Sequence, residues 1–201
     1  MPTFTDLKSD IVLFYKNRTD IAASANSIIA YSESYLNTKL RCREMETVVT
    51  LTPVSNVCTL PSDYLEYKRV VEVASIRRRL EYITEDAVDA LYPTRDSGLS
   101  SNFTIVGNSL TALPMSSNDI ELTYYQQIPA LSESNTTNWL LTRFPNLYLH
   151  TGLMYAAELT KDEEQLTKEA VFVERLIGDL QGLDNRSKFG NAGITLSGTY
   201  W

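Results

Sequence analysis

The chain has 201 residues, of which 43% are hydrophobic and 21% charged, the make-up of an ordinary globular domain rather than of a disordered or collagen-like chain. Its 18 Lys and Arg face 25 Asp and Glu for a formal net charge of -7, the wrong sign for a protein that grips nucleic acid through its phosphates. One histidine, His150, and two cysteines, Cys42 and Cys58, leave a Cys/His zinc site almost without ligands, so neither a metal nor another cofactor is expected.

No apolar run approaches the roughly 20 residues of a bilayer span. The opening Met1-Pro2-Thr3-Phe4-Thr5-Asp6 lacks a basic stretch followed by an apolar one, so the expectation is no membrane and no export. Without export the two cysteines are expected to stay reduced and to act as small apolar residues.

Between Pro2 and Pro53 there is neither glycine nor proline, so nothing interrupts helix over this stretch. Leu7, Ile11, Phe14 and Tyr15 make one apolar stripe after a Thr5 cap, predicting a helix that ends near Asn17. Thr19 or Asp20 caps a second, long helix to about Arg43, with Ile21, Ala25, Ile28, Ser32, Tyr35 and Leu36 on one face and Ile29 and Leu40 broadening it. From Glu46 the pattern turns β. Val48–Leu51 and Asn56–Leu60, short, β-branched and separated by Pro53, read as a hairpin. Val70, Val71 and Val73 mark another strand, and Thr84–Leu91 a short helix with an acidic start. Phe103–Val106 and Ser109–Leu113 flank Gly107-Asn108, a tight hairpin turn, and Ile120–Tyr124 alternates as a half-buried strand does.

After a polar linker from Ser132 to Asn138, Pro145 stands as the first residue of a helix packed through Leu149, Leu153, Ala156 and Ala157. Thr160-Lys161-Asp162-Glu163 has the form of a capping box, predicting a second helix with Leu166, Ala170, Val173 and Ile177 inward and Gly182 as its stop. Asp184 to Trp201, with Gly190, Gly193 and Gly198, has no helical period. The expected fold is α+β, mainly α: a helical bundle of two N-terminal helices and a C-terminal helical hairpin, an inserted small antiparallel β unit, and an extended C-terminal arm. In residue terms this is a single domain over 1–183, helical over 1–45 and 143–183 and β-rich over 46–131, followed by a flexible arm over 184–201.

Motifs for chemistry are absent. Asp162, Glu163 and Glu164 are adjacent acids of the kind that any helix start favours, His150 has no acid or hydroxyl at a telling spacing, and no phosphate-cradling glycine pattern occurs. The dense basic run Arg77-Arg78-Arg79 can meet a phosphate backbone, an acidic partner surface or water. An acidic partner subunit competes with solvent for it, because a basic patch on a net-negative chain offers charge complementarity. Tyr124 and Tyr125 fit an interface or the core equally. Tyr200-Trp201, at the end of a glycine-rich stretch, need a docking place.

Leu60-Pro61-Ser62-Asp63-Tyr64, Ile105–Leu110 running to Leu113-Pro114, Ile120–Leu131, Thr137–Leu141 and Pro145–Leu149 follow one another in an order and spacing that resembles the head-to-tail adaptor (connector, head-completion) proteins of tailed bacteriophages. The resemblance covers about Leu60 to Glu169. It implies a non-enzymatic virion protein, made in the host cytoplasm and placed in the neck. There it would form a twelvefold homo-oligomeric ring between the portal protein and a tail or nozzle protein, extending a channel through which DNA passes without specific binding. On this reading Ile194, Leu196, Tyr200 and Trp201 of the arm bind the portal, and Arg77, Arg78, Arg79, Tyr124 and Tyr125 lie at a subunit or partner interface. Two alternatives stay open: another neck, tail-tube or nozzle protein, and a small intracellular enzyme with no linear motif.

Overall fold

The computed structural model describes residues 1–189. Among them are six helices and eight strands in two small sheets, so the fold is α+β and mainly α. Ile194, Leu196, Tyr200 and Trp201 lie outside the described residues. The chain divides into two compact units: Met1–Glu44 with the chain from Ile128 onward, and Met45–Gln127.

In the helical unit, α1 (Phe4–Phe14) starts at Thr3 rather than Thr5, because Thr3 and Asp6 close a reciprocal capping box. Phe4, Leu7, Ile11 and Tyr15 are buried, whereas Phe14 is 62% exposed and leaves the expected stripe. α2 (Thr19–Lys39) has no side-chain cap from either expected residue; Asp20 instead pairs with Arg18. Its predicted face is buried from Ile21 to Leu36, except that Tyr35 stays partly exposed, and Glu33 is buried with it.

A five-residue helix, α4 (Trp139–Arg143), is capped by Asn138 and precedes α5 (Pro145–Thr160), with Pro145 at its N-terminus as expected. Thr160 is not a cap: it closes α5, and its hydroxyl meets that of Tyr15 at 2.6 Å. Asp162 accepts from the Gln165 N–H instead and so starts α6 (Glu163–Phe189). This helix runs through Gly182, which corrects both the predicted stop and the start of the arm at Asp184. A glycine inside a helix costs about 1 kcal/mol. Beyond it the buried Asp184 accepts from the Arg43 N–H at 2.9 Å, and Leu180 just before it is buried too, so tertiary ties outweigh the local preference.

Gly152 lets α5 approach its neighbours. A Cβ there would stand 2.6 Å from Ile11 Cδ1 and 3.9 Å from Ile28 Cγ2.

The β unit is two four-stranded sheets. Strands β1 (Glu46–Leu51), β3 (Tyr64–Val73), β4 (Arg77–Arg79) and β8 (Asp119–Gln126) form the first, in the order β1-β8-β3-β4. Strands β2 (Val57–Thr59), β5 (Glu81–Tyr82), β6 (Asn102–Val106) and β7 (Ser109–Leu113) form the second, in the order β2-β7-β6-β5. The expected hairpin of β1 with β2 does not form. Ser55 and Asn56 take positive φ in a tight turn closed by a Val54–Val57 bridge, and the two strands join different sheets. The β6–β7 hairpin turns as predicted, with Gly107 at φ 58°. The unit is not wholly antiparallel, since β5 runs parallel to β6. A short helix, α3 (Glu85–Leu91), follows β5.

Cys58, Phe103, Leu110 and Ala112 of the second sheet and Val70, Ile120, Leu122 and Tyr124 of the first share one core. Because side chains alternate across a strand, the register of Val70 with Leu122 and of Glu72 with Ile120 sends Arg69, Val71 and Glu121 to the outer face.

Candidate interaction surfaces

The three arginines build β4, an edge of the first sheet. Arg77 and Arg79 face Val73 and Val71 across the pair and so share the outer face, while Arg78 stands opposite Glu72. Glu121 accepts from Arg69 at 3.2 Å and also pairs with Arg77, and the Arg77 guanidinium holds its carboxyl below the usual range. One carboxylate thus serves two guanidiniums. Arg79 makes no ion pair among the described residues.

Beside this edge lies a groove of about 580 Å³ lined in part by Tyr67, Lys68, Arg69, Arg79, Tyr82 and Phe103. Tyr82 stacks on Tyr67 at 5.7 Å, and both rings meet Phe103 edge-on. The aromatic wall, Lys68 and Arg69 escaped the sequence reading. They come from strands paired across long separations, and no linear motif marks them.

Tyr124 and Tyr125 separate. Tyr124 is only 4% exposed; its hydroxyl donates to Asp63 at 2.9 Å, and burial with that carboxylate beside it pushes the phenol up to about 12. It is a core residue. Tyr125 is half-buried, with its hydroxyl 3.5 Å from Glu46. Structure places no part of the expected arm contact set, which lies beyond the described residues.

Acid–base candidates are tied into packing. His150 Nδ1 stands 2.7 Å from Glu169, and the imidazole lies against Phe172. Glu33 accepts from the Leu131 N–H at 2.8 Å and the Tyr148 hydroxyl at 3.1 Å, and Asn138 donates to that hydroxyl at 2.8 Å. Burial pushes the Glu33 carboxyl above the usual range despite these hydrogen bonds, and pushes the Tyr148 phenol up as well. Every member is satisfied within the fold, so the network fixes the segment from Ile128 to Asn138 and leaves no reactive atom presented to a substrate. Cys42 and Cys58 are buried free thiols, and burial raises that of Cys58 to about 11, far from a reactive thiolate.

Among the described residues no three His, Cys, Asp or Glu side chains group to hold a metal, and no helix is long and apolar enough to cross a membrane. A second surface feature, also unforeseen, is a groove of about 480 Å³ between α2 and α5, walled by Tyr31, Tyr155 and Leu159.

No curated protein matches the chain. The SU10 adaptor protein family matches residues 2–195, which takes in the α1 and α2 segments as well as the stretch from Leu60 to Glu169 that carries the resemblance to phage adaptors. A match over nearly the whole sequence places this chain in the SU10 adaptor protein family, a family of bacteriophage structural proteins.

Proposed function

We propose that this chain is the head-to-tail adaptor of a phage neck, assembling as a twelvefold ring between the portal protein and a tail or nozzle protein and extending the DNA channel. The observation that supports this reading is the family match across both the helical and the β unit. A ring of identical subunits needs two different, complementary faces on each copy. The basic β4 edge supplies one candidate, with Arg77, Arg78 and Arg79 as its contact residues; Tyr125, paired with Glu46 and Glu66 toward the far end of the same sheet, is a contact residue of a separate patch. Tyr124 supports that surface from the core.

The domain arrangement follows: one adaptor domain, with a docking arm that begins after Phe189. The arm holds the portal through Ile194, Leu196, Tyr200 and Trp201. Ordering backbone costs conformational entropy that no single buried side chain offsets over this length, so the four side chains act together. The net charge of -7 lets duplex DNA slide past without specific binding.

The test is attachment of purified protein to tail-less, portal-bearing heads. Full-length protein binds, and protein ending at Phe189 melts at the same temperature but does not bind. Retention of the shortened protein with unaltered affinity overturns the arm's role, and failure of the full-length protein to bind heads at all overturns the portal reading.

A further inference from the structure

We infer that the β4 edge and the aromatic groove beside it receive an extended, acidic segment of a partner protein, its carboxylates meeting the arginines and its aromatic or apolar side chains entering the groove.

A strand edge is a template for pairing, and a run of like charges on it blocks most incoming strands. The first sheet has two such edges. β1 is six residues long and, after Glu46, uncharged; β4 is three residues long and entirely arginine. Against an apolar or basic strand the arginines repel. Toward an acidic strand the same charges become a selection device, because repulsion of wrong partners and attraction of the right one come from the same groups.

Charge and aromatic surface adjoin here. Arg77 and Arg79 project on the outer face, where Arg77 already shares Glu121 with Arg69 and Arg79 has no ion pair among the described residues. The inner side opens on the groove, where Tyr67 packs against the core beside Phe103 and Tyr82 is 46% exposed. An incoming strand therefore meets arginines along β4, Arg77 and Arg79 on one side and Arg78 on the other, and past Arg79 it reaches the aromatic groove, so charge and apolar contact are read at neighbouring places. Duplex DNA offers phosphates but no ring to the groove, and it faces the acidic remainder of the chain.

The inference rests on the reading of Arg77, Arg78 and Arg79 as a partner interface. Its probe is a fluorescein-labelled hexapeptide alternating Glu and Tyr, titrated against the full chain by fluorescence anisotropy. Binding is expected, weakening about tenfold or more between low and high salt. It is lost in Arg79→Glu, weakened in Tyr82→Ala, and unchanged in Arg18→Glu, an equal change of charge on the helical unit. Circular dichroism verifies that each variant is folded.

Equal binding of the matched Gln–Tyr peptide, retention of binding in Arg79→Glu, absence of any binding, or preferential capture of a 20-base-pair duplex overturns the inference. Loss of peptide binding with head attachment intact removes this inference alone. Loss of head attachment with peptide binding intact removes the portal reading alone.

Discussion

Each unit buries a glutamate, and the two are handled in opposite ways. In the helical unit Glu33 is held by the Leu131 N–H and the Tyr148 hydroxyl, yet burial dominates and its carboxyl is pushed up. In the β unit Glu72 is fully buried, but its carboxyl is pulled down. Burial there is outweighed by Ser116, Asn118 and Ser100, with the Asn118 amide donating at 3.1 Å. Glu33 therefore fastens a segment without secondary structure onto a helix, where a neutral acceptor serves nearly as well as a charged one. Glu72 is kept as a charge. The comparison teaches that the helical unit uses Glu33 to position the return from Ile128 to Asn138, whereas the β unit holds a charged carboxylate, Glu72, inside the fold through the hydroxyls and amide around it.

The sharpest way to break this contrast is Glu33→Leu. It strands the Leu131 N–H and removes the Tyr148 acceptor in a buried site, and is expected to destabilise the protein by about 3 kcal/mol; chemical denaturation measures it. Glu33→Gln keeps an acceptor and should lose less than half as much. Next comes Gly152→Ala, whose added methyl meets Ile11 at 2.6 Å; overpacking of about 1 to 3 kcal/mol is expected, read as a lowered melting temperature. An unchanged melting temperature contradicts the packing described for α1, α2 and α5.

In the β unit, Gly107→Val forces a β-branched residue to φ 58°. About 1 to 2 kcal/mol of destabilisation is expected, with no steric clash to add, because nothing lies within 4 Å of that site.

The smallest effects are in pH. The ordinary Glu value is 4.5. Glu72, held below it, contributes stability that is present above 4.5 and lost as pH falls through its lower folded value. Glu33, held above it, contributes stability that is present below 4.5 and lost as pH rises through its higher folded value. Stability profiles of Glu72→Gln and Glu33→Gln should therefore differ from the parent with opposite slopes. Parallel profiles remove the contrast between the units.

How much was legible follows the range of each interaction. Pro145 at a helix start, the Gly107 turn and the inward face of α2 were readable because their causes lie within a few residues. The partner of β1 was not, since β8 is some seventy residues further on and proximity in sequence favoured β2. Gly182 misled because a local cost was outweighed by Leu180 and Asp184 packing onto distant chain. Phe14 has the right spacing for a core residue and yet is exposed, an outcome for which the structure offers no cause. Of the candidate interface, the arginines were visible as a run. Their closeness to Tyr67, Tyr82 and Phe103 needed the sheet topology, and Glu33 looked like any polar residue on a long helix.

The central claim is that this chain forms the ring between portal and tail, and electron cryomicroscopy of particle necks tests it most directly. The account predicts a twelvefold ring of this chain directly beneath the portal, with residues beyond Phe189 in contact with portal density. Finding the chain elsewhere in the virion, or a neck built without it, contradicts the claim.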